Sequence, residues 1–383
     1  MQQLHMKRSY RIIPCYTGDV SGVCSALFEL GGMVVIHDPS GCNSTYNTHD
    51  ETRWYDHDSL IFISGLAEID AIMGNDEKFI DDVVDAALQL QPKFIALANS
   101  PIPFLNGTDF DAISRVIESR TSIPTFYLPT NGMHDYIVGA SEALAEIARR
   151  FVSEPKQTRP SSVNLLGVTP LDFAHSDAPS SLRRRVEDAG FSVVSCWAMG
   201  DCLSALSKAA EASFNLVVSA VGLRAAKELQ ARFGTPYVIG CPIGAFGETV
   251  FSAVRSDKTV NAIQCEKALD SRIVMIGEPI TMGSLAVSIQ MDCGVLPQVL
   301  CPLEQCEELF SPHIRPVVGE EDVESAVQNA KVVIADPLYR PICPKEARFV
   351  PLPHEAFSGR IYQKTMPNLF SLDPRSLLEG VIL

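Results

Sequence analysis

Two cysteines sit in proline- or glycine-bearing turns of this chain, and their chemistry is the first thing its sequence raises. Cys15 closes "RSYRIIPC" and Cys42 closes "HDPSGC". A short apolar run precedes each, and loops that follow parallel strands open at one edge of a sheet, so two distant thiols can approach one centre. A thiolate is a soft ligand suited to iron–sulfur or zinc sites. Gly41 beside Cys42 lets backbone approach closely and leaves amides free to bond to sulfide. Without a CxxC spacing, the ordinary alternative is a pair of buried free thiols.

The other cysteines divide by context. Cys24 lies in a helical pattern and reads as a core position, with a ligand role as its alternative. Cys293 also reads as core, and Cys301 and Cys306 do not have a convincing zinc spacing. Cys196, Cys202 and Cys265 carry no site signal. Cys241 ("GCPIG") and Cys343 ("ICPKE") each precede proline in a loop, where a site residue is possible. "NTHDETRWYDHD" (47–58) gathers His49 and His57 among acids, either as a two-histidine metal site or as a solvated loop.

These residues need a frame. The chain has 383 residues, 46% of them hydrophobic and 20% charged, which reads as a globular protein of two or three domains. A net charge of −15 argues against a nucleic-acid backbone or an anionic membrane as partner. No run of eighteen apolar residues appears, and "MQQLHMKRSYRIIPC" lacks the apolar centre of a signal peptide. The expected location is therefore cytoplasmic, with reduced thiols.

Short apolar runs alternate with helical patterns almost throughout. "MVVIHD", "FIALAN" and "PTFYLP" alternate with "CSALFELGG", "FIDDVVDAALQLQ" and "FDAISRVIESR". This alternation implies parallel sheets flanked by helices. After the helical "YIVGASEALAEIARRFV", the polar stretch "SEPKQTRPSS" (153–162) reads as a linker. New α/β units begin at "VNLLGVTPLD" and "SRIVMIGEP". The fold class is α/β, with three Rossmann-like domains at 1–155, 156–268 and 269–383. Neither a phosphate-binding GxxxxGK[ST] loop nor a GxGxxG after a strand is present, so the chain is not expected to hydrolyse ATP itself. "GCPIGAFGE" and "GEPITMGS" are turns after strands that could seat a ligand.

In order along the chain, five stretches resemble the nitrogenase component 1-like family, which includes the nitrogenase large subunits, cofactor-assembly scaffolds and protochlorophyllide reductase catalytic subunits. They are Cys15 with "VVIHDPSGC"; "DAIMGNDEKFIDDVVDAALQLQPKFIALANSPIPFLNGTDF"; "KELQARFGTPYVIGCPIG"; "RIVMIGEPITMGSLAVSIQMDCGVLPQVL"; and "LPHEAFSGRIY". The resemblance covers nearly the whole chain and implies that Cys15 and Cys42 are cluster ligands. The family's third cluster cysteine corresponds to Ser100. Two ligands per chain then imply one [4Fe–4S] cluster shared at the interface of two subunits, either a homodimer or a pair with a homologous component-1 subunit. Ser100 and Cys24 remain as further candidate donors.

The cysteine that anchors the molybdenum cofactor falls near Val218 or Ser219, and the cofactor's histidine near Tyr362. No molybdenum cofactor is therefore expected. The resemblance implies an oxidoreductase fed by an ATP-dependent, nitrogenase-iron-protein-like reductase, with a small-molecule substrate between the domains. His354 and Glu278 are candidate proton donors, and Ser219, Cys241, Arg360 and Tyr362 candidate substrate contacts. The competing function is a scaffold that assembles or delivers a metal cluster or cofactor.

Overall fold

The computed structural model describes residues 10–39, 51–155, 157–174, 177–304 and 306–380. Among these residues, fourteen strands form three sheets, in which all strand pairs are parallel. The first sheet contains β1 (Met33–His37), β2 (Leu60–Ile63), β3 (Ile95–Asn99) and β4 (Thr125–Leu128), in the order β2-β1-β3-β4. The second contains β5 (Arg159–Leu166), β6 (Ser192–Cys196), β7 (Ala212–Val217), β8 (Tyr237–Ile239) and β9 (Val260–Asn261), in the order β6-β5-β7-β8-β9. The third contains β10 (Leu269–Ile276), β11 (Leu296–Cys301), β12 (Ile314–Pro316), β13 (Val332–Ala335) and β14 (Arg348–Pro351), in the order β12-β11-β10-β13-β14.

Central strands such as β1, β3 and β13 are buried along their whole length, which is why they read as continuous apolar runs. One face of the first sheet packs on the amphipathic helices Asp76–Leu90 and Phe110–Thr121. Phe79, Val83, Ala87, Ile113 and Ile117 pack there with Val35 and Leu97. The other face carries Val34, Ile36, Ala96 and Phe126, which share a core with Tyr136–Phe151 and continue into the second and third sheets.

The Asp19–Leu27 and Tyr136–Phe151 helices cross with their backbones in contact. A Cβ on Gly22 would stand 2.2 Å from the carbonyl oxygen of Tyr136, and one on Gly139 would stand 1.9 Å from that of Asp19. Only glycine permits this approach. The crossing fixes the start of both helices, and therefore the positions of Cys15 and Tyr136.

Several expectations are revised by the structure. Among the described residues, no strand precedes Cys15. Residues 10–17 instead form an extended segment stitched to the third unit: Arg11 and Ile12 amides donate to Glu320 Oε2, and the Tyr339 hydroxyl donates to Pro14 O at 2.6 Å. The helix expected from Cys24 starts earlier, at Asp19. Residues 159–162 of the expected linker belong to β5. "CLSALSKAAEA" holds only the short turns Leu203–Leu206 and Ala209–Glu211.

Candidate functional site

The carboxyl ends of strands in the second and third sheets bring polar residues to one buried junction, where the Tyr136–Phe151 helix of the first unit also begins. Asp172 follows β5, Ser219 follows β7, Glu278 follows β10, and His354 follows β14. Ligands of open parallel sheets bind at such edges. Asp172, Ser219, Glu278, His354 and Tyr136 are all buried.

Each group has a local reason for its position. Glu278 caps the Pro279–Cys293 helix, accepting from Ile280 N at 3.1 Å, Thr281 N at 2.6 Å and Thr281 Oγ1 at 2.7 Å. It also accepts from Ala220 N at 2.9 Å, which ties the second unit to the third. Ser219 Oγ donates to Gly167 O at 2.8 Å, across a turn where Gly167 adopts φ +88°. Asp172 Oδ1 accepts the Tyr136 hydroxyl and lies 3.6 Å from His354 Nε2. Asp336 holds the His354 turn by accepting from His354 N at 2.9 Å and Ser358 Oγ at 2.8 Å.

Burial dominates the electrostatics. It raises the carboxyl pKa values of Asp172 and Glu278, Asp172 well above the usual range with Glu278 adding repulsion, and it drives His354 down to about 3. The Tyr136 hydroxyl is likewise raised by burial and by Asp172.

Cys15 borders this junction and is half-buried. Its Sγ–H donates to Ala356 O at 3.4 Å, while the Tyr16 and Thr17 amides donate to the same carbonyl at 3.1 and 3.0 Å. Tyr136 N donates to Thr17 O, so the cysteine segment is clamped between Tyr136 and the residues beside His354. Burial, then nearby Asp135, push the Cys15 thiol well up. The adjoining cavity, lined by Tyr16, Thr17, Cys24, Glu51, Leu171 and Glu355 among others, holds 20 Å³, room for about one water.

The other expected residues differ in their surroundings. Cys24 is buried in the first core and its thiol is raised by burial. Cys241 is fully buried, with its amide donating to Ser284 Oγ at 2.9 Å. Arg360 is exposed and Tyr362 half-buried on the Gly359–Thr365 turn. Ser100 precedes the Pro101–Asn106 helix, and its buried Oγ finds no partner among the described residues. Cys42 and His49 lie outside the described residues. His57 lines a 350 Å³ cleft with Arg183 and Arg184.

Sequence alone does not mark Tyr136 and Asp172 as site residues. Among the described residues, no three His, Cys, Asp or Glu side chains converge as a metal ion would require. The described donors at the Cys15 end amount to one thiol. They fit a cubane only if it is shared with donors beyond them, such as Cys42 and a second subunit.

A family model described as nitrogenase component 1 type oxidoreductase matches residues 21–253, more than half of the chain. One subunit of the light-independent protochlorophyllide reductase of Nostoc punctiforme is 26% identical over 200 residues, covering 49% of this chain and 39% of that protein. The corresponding protein of Chlorobium phaeobacteroides is 30% identical over 166 residues, covering 42% and 30%. These matches therefore span less than half of either relative. A solved structure described as nitrogenase Cp1 at pH 6.5 superimposes with a TM-score of 0.70 at 14% identity, covering 97% of this chain and 92% of that one, which is a likeness of fold.

Proposed function

The chain belongs to the nitrogenase component 1 type oxidoreductase family, and on that premise we propose that it passes low-potential electrons from an ATP-dependent, iron-protein-like reductase to a small molecule at the junction of the second and third sheets. The observation that carries this reading is the position of Cys15, a half-buried thiol clamped against the backbone of the junction's own residues. Cys15 and Cys42 of two copies, or of this chain and a homologous subunit, would hold a [4Fe–4S] cluster. When bound, that group supplies one-electron transfer. The residues of this chain supply orientation, exclusion of water and proton handling.

The test is composition. Anaerobically purified protein is expected to carry about four iron and four sulfide per pair of chains. Cys15→Ala and Cys42→Ala lose them, and Cys24→Ala keeps them. Full iron in Cys15→Ala would refute the assignment. The small cavity beside the junction favours a second reading, a scaffold that carries a cluster or cofactor for delivery, since such a protein needs no substrate chamber. Reductase- and ATP-dependent turnover identifies the enzyme, whereas transfer of the cluster to an acceptor protein identifies the scaffold.

A further inference from the structure

Two buried carboxyls share the junction, and their surroundings differ. Glu278 accepts four hydrogen bonds from Ile280 N, Thr281 N, Thr281 Oγ1 and Ala220 N, at the N-terminus of a fifteen-residue helix. Those donors and the helix dipole favour its ionised form. Asp172 accepts from the Tyr136 hydroxyl on Oδ1, while Oδ2 finds no partner among the described residues. The Ser219 hydroxyl beside Asp172 donates to Gly167 O at 2.8 Å, and what hydrogen bonding it adds at Asp172 lowers that carboxyl less than burial raises it. Among the described residues, no Lys or Arg forms an ion pair with Asp172. Two adjacent buried carboxyls repel when both are ionised, so one keeps its proton, and the donor pattern selects Asp172.

His354 completes the arrangement. Its Nε2 is 3.6 Å from Asp172 Oδ1, and neither ring nitrogen has a hydrogen-bond partner among the described residues. Buried polar atoms are rarely left so. His354 is 7% exposed and Asp172 5%.

We propose that Tyr136, Asp172 and His354 form a proton-holding relay at the junction, with the proton resting on Asp172 and passing out through the His354 ring. In that transfer the Asp172 O–H bond breaks and an N–H bond forms at His354 Nε2. The proton on Nδ1 leaves to the anion formed when a substrate accepts an electron, and Asp172 is left as carboxylate beside a neutral imidazole. A hydronium ion from solvent entering the emptied substrate position then protonates Nδ1, while the Nε2–H bond breaks and its proton returns to Asp172. Tyr136 and His354 lie against Asp172, and the other groups that act on it through the buried junction are Asp135 from the first unit, Ser219 and Cys241 from the second, Glu278 from the third, and Cys15 from the N-terminal segment. Burial holds Asp172 and His354 both towards neutrality. The use of this proton rests on the oxidoreductase reading, because each electron accepted by a substrate leaves a negative charge to be neutralised. The proton's presence does not rest on that reading.

The test uses the full chain, without substrate. Isotope-edited infrared spectra of protein carrying carboxyl-labelled aspartate are expected to show a protonated aspartic acid at pH 8. Asp172→Asn removes that band, and Tyr136→Phe displaces it by removing its hydrogen-bond donor. In urea, Asp172→Asn is expected to stabilise the fold at pH 8. That advantage should fall by up to about tenfold in unfolding constant per pH unit as the pH drops towards 5, because the wild-type acid then keeps its proton without cost. A spectrum with no protonated aspartate at pH 8, as an Asp172–imidazolium pair would give, overturns the relay. So does a band indifferent to both substitutions. The infrared result needs only wild type and Tyr136→Phe if Asp172→Asn does not fold. A missing proton in a protein that still turns over with its reductase ends the relay alone. A present proton in a protein without iron supports the relay and ends the cluster assignment.

Discussion

The carboxyl edge of the first sheet and the junction of the other two handle their chemistry in different ways. At the first edge, the buried Ser100 Oγ has no partner among the described residues. The adjoining helices Glu68–Met73 and Pro101–Asn106 expose Ile69, Ile72, Met73, Ile102, Phe104 and Leu105. At the junction, Asp172, Ser219, Glu278 and His354 are all buried, and bonds cross between units: Glu278 to Ala220, Tyr136 to Asp172. The junction is closed by the chain's own contacts. The first edge leaves apolar surface facing outward, as a surface that meets another macromolecule does.

Breaking the scaffold of the junction gives the largest expected effect. Gly139→Val drives a branched side chain into the Asp19 carbonyl at the helix crossing and is expected to cost at least about 4 kcal/mol, or to prevent folding. Gly190→Ala has a positive φ but open space around it and costs only about 1 kcal/mol. Urea midpoints compare the two, and equal losses would show that the crossing is not close-packed.

An intermediate effect comes from pH. His354 titrates at about 3 in the fold against 6.5 in its free form, because burial penalises the charged ring. Its neutral burial therefore contributes stability that is fully present above 6.5 and is lost as the pH falls towards 3, at up to about 1.4 kcal/mol per unit. His354→Gln is expected to flatten that slope in urea titrations at pH 4 to 7. An unchanged slope would locate the acid sensitivity elsewhere, with His37, lowered to about 4, as the next group to examine.

The smallest effect on stability belongs to the open edge. Ile72→Ser with Leu105→Ser is expected to change the urea midpoint by less than about 0.5 kcal/mol, since both side chains are over 70% exposed. The same pair is expected to weaken self-association by about tenfold or more in anaerobic sedimentation, if these residues anchor the proposed pairing. Unchanged association would move the interface away from this edge.

The fold is legible in the sequence where strands are buried on both faces. "MVVIH", "IALAN" and "VVIA" are uninterrupted apolar runs because both sides of the strand meet helices. "LIFI" escapes a reading by pattern because it forms the edge strand β2, where burial is incomplete. The start of the Asp19–Leu27 helix is hidden for the opposite reason: all nine residues are buried, so no polar stripe marks its period. At the candidate site, motifs mark Cys15, Ser219, Glu278 and His354, and they also mark the exposed Arg360. Tyr136 and Asp172 carry no local signal. Their meaning comes from a contact between residues 36 positions apart and from a histidine contributed by the last sheet.

The stitching of the N-terminal segment to the far end of the chain sets an order of events during synthesis. Cys15 emerges early, but its clamp is the carbonyl of Ala356, and the preceding turn is held by Tyr339. Contacts spanning more than 300 residues form last, after the intervening loop has been closed. While the ribosome is still translating, the first sheet can fold with its thiol segment undocked. If Cys15 ligates a cluster as proposed, stable insertion would need a chain that already includes the third sheet, and a polypeptide truncated before that sheet would have its first core but no fixed place for the cysteine.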